Sequence, residues 1–403
     1  MKKSMIVAAM LAMVATGANA KSAADSAAIA KNKPVFTVVK QNPITSIKDQ
    51  NRSGTCWAYS TLSYFESEIL KHTGKTYDLS EMFVANKTYM DRATMAVRMH
   101  GDVSFSQGGS AYDVLYALQH YGIVPEGAMP APGTLTGDSL ANFGEFFDVM
   151  TPYVEAVAKS NAKKISSAWK SGLQGIIDSY IGKTPEKFTY QGKQYTPQSF
   201  CQSLGLNLDD YVTITSYTHH PMWSKFAVEV QDNWRWPLSY NVPMDDLCKI
   251  IDNAINNGYT VAWGGDVTED GFTRKGLGIA YDVKKVRSMA GTDADHWFKL
   301  SKDEKKVKFD SLGVNAPEVT PTQAMRQEAF DNWETTDDHG MHIYGIAKDQ
   351  NGKEYYMVKN SWGEYGDYKG TWYMTKAFVA YKTMDFMVNK NAIPKDIRKK
   401  LGI

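Results

Sequence analysis

The chain has 403 residues, 43% of them hydrophobic, and its 45 Lys and Arg against 44 Asp and Glu leave a net charge of +1. That is enough apolar sequence for a large core, so a disordered chain is excluded. A balance this even, with no long block of one sign, argues against nucleic acid or an anionic membrane as partner.

The chain opens with Lys2 and Lys3, an apolar run from Met5 to Val14, and then Ala18-Asn19-Ala20. This is the layout of a secretory signal cleaved after Ala20, which makes residues 21–403 the mature chain. The run is too short to span a bilayer, and no later stretch reaches the about 20 apolar residues of a spanning helix. The expectation is an exported protein without membrane insertion, in a bacterial periplasm or outside the cell. An oxidising compartment favours disulfides, yet there are three cysteines, so at least one stays unpaired. Cys201 and Cys248 read as small buried residues on apolar helix faces, with a bond between them left open. Cys56 stands apart.

In chain order, the stretch from Val35 (VFTVVK) reads as a short strand. The segment QNRSGTCWAYSTLSYFESEIL (50–70) then places Cys56 between a Gly/Ser turn and a helix, since Ala58, Leu62, Phe65, Ile69 and Leu70 keep helical spacing. Residues 79–99 repeat the amphipathic pattern behind a Ser80 cap, and residues 106–127 run from a turn at Gly108-Gly109 into a helix over Ala111 to Tyr121, stopped at Gly122 and Pro125. The middle, about 130–335, holds helical segments near 140–180 and 243–257 and strand-like runs at 211–217 and 259–267. Near the end, two strand-like runs flank Asn351-Gly352, a hairpin signal, and GTWYMTKAFVAYK follows. Helix-rich first and strand-rich last, the order suggests an α+β enzyme with a cleft between two halves.

A helix N-terminus offers free N–H groups and positive dipole, which stabilise a thiolate, and Cys56 sits at such an end. A thiolate alone is not a hydrolase. It needs a histidine to hold and return a proton, a group to orient that histidine, and donors for the oxyanion. Of the eight histidines, His339 and His342 in DDHGMHIYG lie on a strand pair with Asn360 in KNSWG, and both stay open as the base. The Asn360 carbonyl would accept from the imidazole, with Trp362 shielding that bond from water. Gln50 offers a side-chain amide that would point donors at the oxyanion beside the Cys56 N–H. The other six histidines, 72, 100, 120, 219, 220 and 296, show no metal-ligand spacing; adjacent His219 and His220 on a strand would face opposite sides. No metal and no cofactor are expected.

QNRSGTCWAYS resembles the active-site segment of the papain superfamily, and KNSWG resembles its asparagine segment. Papain-like enzymes place the histidine about 130–150 residues after the cysteine, and here His339 lies much further on. That spacing, with His339-Gly340-Met341, Gly345 and Asn360-Ser361-Trp362-Gly363, resembles the bleomycin hydrolase and aminopeptidase C branch over about residues 40–395; WGGDV (263–267) and GGSAYDVLYALQHYGIVP (108–125) also resemble it. The resemblance implies a two-lobed fold with a helical lobe and a β-barrel-like lobe, and a long insertion at roughly 130–335. It implies Cys56 as nucleophile, His339 as base and then acid, Asn360 as orienting group and Gln50 as oxyanion donor, with Gly108, Gly109 and Trp362 on the substrate side. His342 then stands where the branch has an aliphatic residue. The activity implied is peptide-bond hydrolysis through a thioester, of aminopeptidase type, and the assembly implied is a hexamer.

Two departures qualify these expectations. Asp337 and Asp338 precede His339 where the branch has an uncharged residue, and their charge would raise the imidazole pKa. The chain also stops at NKNAIPKDIRKKLGI, without the C-terminal arm whose carboxylate meets the substrate's amino group in that branch. An acidic side chain in the cleft, an endopeptidase, a dipeptidyl peptidase, a transferase and a non-catalytic peptide-binding protein are the alternatives.

Overall fold

The computed structural model describes residues 23–132, 140–289 and 301–403. The signal-like segment 1–20 and His296 lie outside the described residues. The chain divides into two compact units. The larger takes Thr37–Ala280, Thr320–Lys348 and Lys353–Ile403, and the smaller takes the described residues before Thr37 with Tyr281–Val319 and Asp349–Gly352.

The smaller unit begins with α1 (Ala23–Asn32). The larger begins with β1 (Thr37–Gln41), α2 (Cys56–Thr73), α3 (Glu81–Arg98) and α4 (Ala111–His120). It continues through α5 (Gly144–Ala158), α6 (Ala168–Ile181), β2 (Phe188–Tyr190), β3 (Lys193–Tyr195), α7 (Pro197–Ser203), β4 (Tyr211–Thr215), β5 (Lys225–Phe226) and β6 (Ser239–Asn241). Then come α8 (Met244–Asn256), β7 (Val261–Gly265), β8 (Phe272–Thr273) and β9 (Leu277–Gly278). The smaller unit adds α9 (Val283–Met289) and α10 (Lys302–Leu312), around Val286 and Phe309 with Tyr281 stacked on Phe309. The larger resumes with α11 (Gln323–Asp331), β10 (His339–Lys348), β11 (Glu354–Lys359), β12 (Thr371–Thr375), α12 (Lys376–Lys382), β13 (Thr383–Asn389) and α13 (Lys395–Leu401).

The mixed α+β class is as expected, but the β part is not barrel-like. Eleven strands form one open sheet, in the order β5-β6-β4-β13-β7-β10-β11-β12-β9-β8, with β1 also on β10. The ends of this order, β5 and β8, do not pair with each other. Strands β4 to β9, from the stretch between Cys56 and His339, and strands β10 to β13 share this one sheet.

Two large hydrophobic cores serve the larger unit, beside a small cluster of Tyr217, Phe226 and Val228. One is built on α2 to α7, around Phe65, Phe83, Tyr89, Phe146 and Phe200. The other lies against the sheet, where α8, α12 and α13 cover Trp263, Met341, Ile343, Val358 and Trp372. Strand β10 separates them, because side chains alternate along a strand. Met341 and Ile343 join the second core, while Gly340 and His342 face Ser60 and Ser63 of α2.

α2 carries Cys56 at its first residue, and an ionic knot secures the segment leading to it. Lys48 reaches Glu66 of α2 at 3.3 Å, Glu81 of α3 at 2.8 Å, Asp78 at 2.6 Å and the Leu79 carbonyl at 3.1 Å. A buried ammonium is tolerated only with such partners, and they hold its pKa well above the ordinary lysine value despite burial. α3 begins at Ser80 as expected, its hydroxyl accepting from the Phe83 N–H. The Thr55 hydroxyl instead lies 2.5 Å from Ser53 and does not cap α2. The first turn above Cys56 therefore keeps uncapped N–H groups.

Candidate active site

β10 crosses the first turn of α2 at Gly340, and the approach is close. A Cβ there would lie 2.6 Å from Ser60 Oγ and 3.3 Å from both the Cys56 carbonyl oxygen and Trp57 Cα. Only a residue without a side chain lets the strand lie this near the helix. The neighbouring residue, His339, thereby shares a cavity of about 170 Å³ with Cys56.

His339 is buried, and its Nε2 lies 2.8 Å from Asn360 Oδ1. The same oxygen accepts the Ser361 N–H at 2.8 Å, which identifies it as the carbonyl rather than the amide nitrogen. Nε2 is therefore the protonated nitrogen, and Nδ1 is left with a lone pair to act as base. Trp362 lies over the imidazole, 4.9 Å between ring centres, and is itself braced edge-on by Trp372. This is the shielding position expected from the sequence, and Trp362 does not line the cavity.

Around Sγ, the N–H groups of Gly340 and Trp57 donate to the sulfur and favour its thiolate. Burial outweighs them, and the charges of Asp337 and Asp232 add to it, so the thiol is pushed up to about 12. Burial also lowers His339 to about 4, although the Asn360 hydrogen bond and the Asp338 charge both raise it. The expected rise from Asp338 is present but outweighed: removing the ring from water costs the imidazolium more than a neighbouring carboxylate returns. Both groups are thus held neutral, and among the described residues no hydrogen bond joins Sγ to the ring. Catalytic hydrogen bonds commonly tighten only when substrate is present.

The remaining expected residues fall as follows. Gln50 is buried outside the cavity lining. Its Nε2 donates to the Ser53 carbonyl at 2.7 Å, its Oε1 accepts from Ser361 Oγ at 2.6 Å, and its N–H donates to the Ser361 carbonyl at 2.8 Å. Gln50 thereby joins the Cys56 turn to the Asn360 segment, with one Nε2 hydrogen in use and one remaining. Gly108 and Gly109 do line the cavity, but the space a Cβ would take is filled by the Asp232 carboxylate at Gly108 and by the Trp57 indole, 2.8 Å away, at Gly109. Packing within the chain already requires glycine at both. His342 lies outside that cavity, fully buried, with Nδ1 2.9 Å from Ser63 Oγ.

All three cysteines are free, so Cys201 and Cys248 form no bond. His219 and His220 correct another expectation: they follow β4 in a bend rather than continuing the strand, and both rings reach Glu229 at 3.0 Å. Their ligand atoms and those of Glu229 lie within 4.8 Å of one another, at an exposed position.

Sequence reasoning missed Gln107, Arg92, Asp232 and Asp385. Gln107 accepts from the Gly54 N–H at 2.7 Å and, through its carbonyl, from Trp57 Nε1 at 3.0 Å, fixing the turn before Cys56. Fully buried Arg92 holds the Gly108 carbonyl and Asp232. Asp232 lies far from Cys56 in sequence, within a stretch without periodic signal, so nothing local marked it.

The sequence pattern of the Peptidase C1-like family matches residues 2–312 and 309–402. The chain belongs to this family. Among similar proteins, aminopeptidase G of Lactobacillus delbrueckii subsp. lactis is 23% identical over 397 residues, covering 89% of this chain and 84% of the relative. Aminopeptidase C of Lactobacillus helveticus is 24% identical over 410 residues (90% and 85%), and bleomycin hydrolase of Gallus gallus 21% over 399 (87% and 81%). The solved structure of pepw from lactobacillus rhamnosis superposes with a TM-score of 0.68 at 19% identity, over 94% of this chain and 86% of that one, a likeness of fold. The chain is accordingly a cysteine-type peptidase with the papain-like α+β fold.

The close approach at Gly340 gives a direct test. Gly340→Val should force β10 away from α2 and separate His339 from Cys56, lowering kcat/KM for peptide hydrolysis about 100-fold, since a displacement near 1 Å is enough for such a loss. Activity within threefold of wild type would show that the contact does not set the site.

Proposed function

We propose that this Peptidase C1-like chain is an aminopeptidase of the bleomycin hydrolase type. In this reading the Cys56 proton passes to His339 Nδ1 as Sγ attacks the carbonyl carbon of the first peptide bond. Asn360 holds the ring with Nε2–H pointing away, so the same Nδ1 can return the proton to the leaving amine. A thioester remains on Cys56. Water then attacks it, giving its proton to Nδ1; the C–S bond breaks, the amino acid leaves, and Nδ1 returns the proton to Sγ. The Cys56 N–H at the start of α2 and the free Gln50 Nε2 hydrogen are the donors available to the oxyanion.

The observation that carries this reading is the His339–Asn360 hydrogen bond beside Cys56, with the Asn360 oxygen identified by a second donor. The names of the relatives, aminopeptidases along most of their length, support the exopeptidase form. A fluorogenic leucine amide in free and N-acetylated forms, offered to wild type and Cys56→Ala, tests it. Cleavage of the free form alone, lost in Cys56→Ala, is the expected result. Equal cleavage of both forms would mean an endopeptidase, and activity surviving in Cys56→Ala would remove the nucleophile.

We also propose that the protein is exported, on the strength of the signal-like residues Met1 to Ala20. Cell fractionation with N-terminal sequencing should find the mature chain beginning at Lys21 outside the cytoplasm; a cytoplasmic chain retaining residues 1–20 would contradict this.

A further inference from the structure

The cavity that holds Cys56 is also acidic. Asp232, Asp337 and Asp385 all line it, beside the apolar Val228, Val230 and Met384, and among the described residues no lysine or arginine does. Arg92 reaches Asp232 from behind at 3.0 Å, and its other N–H groups go to Ser104, the Gly108 carbonyl and the Gln231 carbonyl. One carboxylate is thus compensated. Asp385 has only Ser239 Oγ at 3.5 Å, a weak contact. Asp337 is half-buried with its carboxyl on the cavity, and among the described residues no hydrogen-bond donor reaches it; burial and the charges of Asp232, Asp385 and Asp338 hold its pKa well above the carboxylate range. Burial likewise raises Asp385 to about 6.

Half-buried carboxyls that line a cavity without a counter-charge are costly, and they persist where a ligand supplies the missing charge. We propose that Asp337 and Asp385, with Asp232, form the binding site for the α-ammonium group of the peptide's first residue, so that the carbonyl following it lies at Cys56. This rests on the aminopeptidase reading and names what that reading requires, a negative site at a fixed distance from the nucleophile. An ammonium has three donors and suits several carboxylate oxygens at once.

The shared chemistry is an ammonium, which a lysine side chain also carries, so the test has three substrates. Leucine, N-acetyl-leucine and N-acetyl-lysine coumarin amides are compared on wild type, Asp337→Asn, Asp337→Glu and Asp385→Asn, with thermal melting to verify folding. The readout is the ratio of kcat/KM for the free over the acetylated leucine amide. Asp337→Asn should lower that ratio about 10- to 100-fold, the worth of one charged hydrogen bond, Asp385→Asn should lower it by less, and Asp337→Glu should restore part of it. A ratio unchanged in both asparagine variants overturns the proposal while leaving the aminopeptidase reading intact. Asp337-dependent cleavage of N-acetyl-lysine amide overturns it by assigning the site to a side chain. A wild type that cleaves both leucine amides equally, still through Cys56, overturns the aminopeptidase reading and this proposal with it.

Discussion

The contact between Gly340 and the first turn of α2 is the constraint on which the site depends. It joins a helix start and a strand start that are far apart in sequence, and a side chain of any size at 340 would meet Ser60 and the Cys56 backbone. Because the strand lies this close, the Gly340 N–H reaches Sγ and the preceding residue shares the cavity. Asn360 comes from the end of β11, next to β10, so the strand that delivers His339 also positions its partner. Gln50 and Ser361 then fasten the Cys56 turn to the Asn360 segment through a main-chain bond and a side-chain bond. Catalytic geometry here is a consequence of helix-on-sheet packing.

That packing has an electrostatic consequence. Excluding water strengthens every polar contact inside, but it also removes solvation from the thiolate and the imidazolium. Desolvation prevails, and Cys56 and His339 are both held neutral despite two N–H donors and the Asn360 bond. The Asp337 and Asp232 charges act against the thiolate as well.

Much of the helical part was legible because it rests on local signals. Ser80 caps α3, apolar spacing marks α2 and α4, and Asn351-Gly352 marks the β10–β11 turn; each appears within a few residues of its expected position. The Cys56, His339 and Asn360 set was legible through motif spacing, and the hairpin accounts for the nearness of the last two. What depends on distant pairing was not. Strands β5, β6, β8 and β9 are two or three residues long and are defined by their neighbours rather than by their own pattern. The sheet stays open where a barrel-like lobe was implied, and Asp232 and Asp385 meet Asp337 only after three separate segments have folded. His219 and His220 read as opposed on a strand, but the chain bends there and both reach Glu229. Asp337 and Asp338 were visible, and Asp338 raises the His339 pKa as expected, but the larger effect of burial cannot be read from a local stretch.

The claim at the centre of this account is that Cys56, served by His339, is the nucleophile. An amino-acid chloromethyl ketone with a free amino group offers Sγ a carbon from which chloride leaves, forming a thioether that intact-mass measurement and peptide mapping can locate. The account predicts one label per chain, on Cys56 and not on Cys201 or Cys248, formed much more slowly in His339→Gln. Labelling of Cys201 or Cys248 in preference to Cys56, or an undiminished rate in His339→Gln, would contradict it.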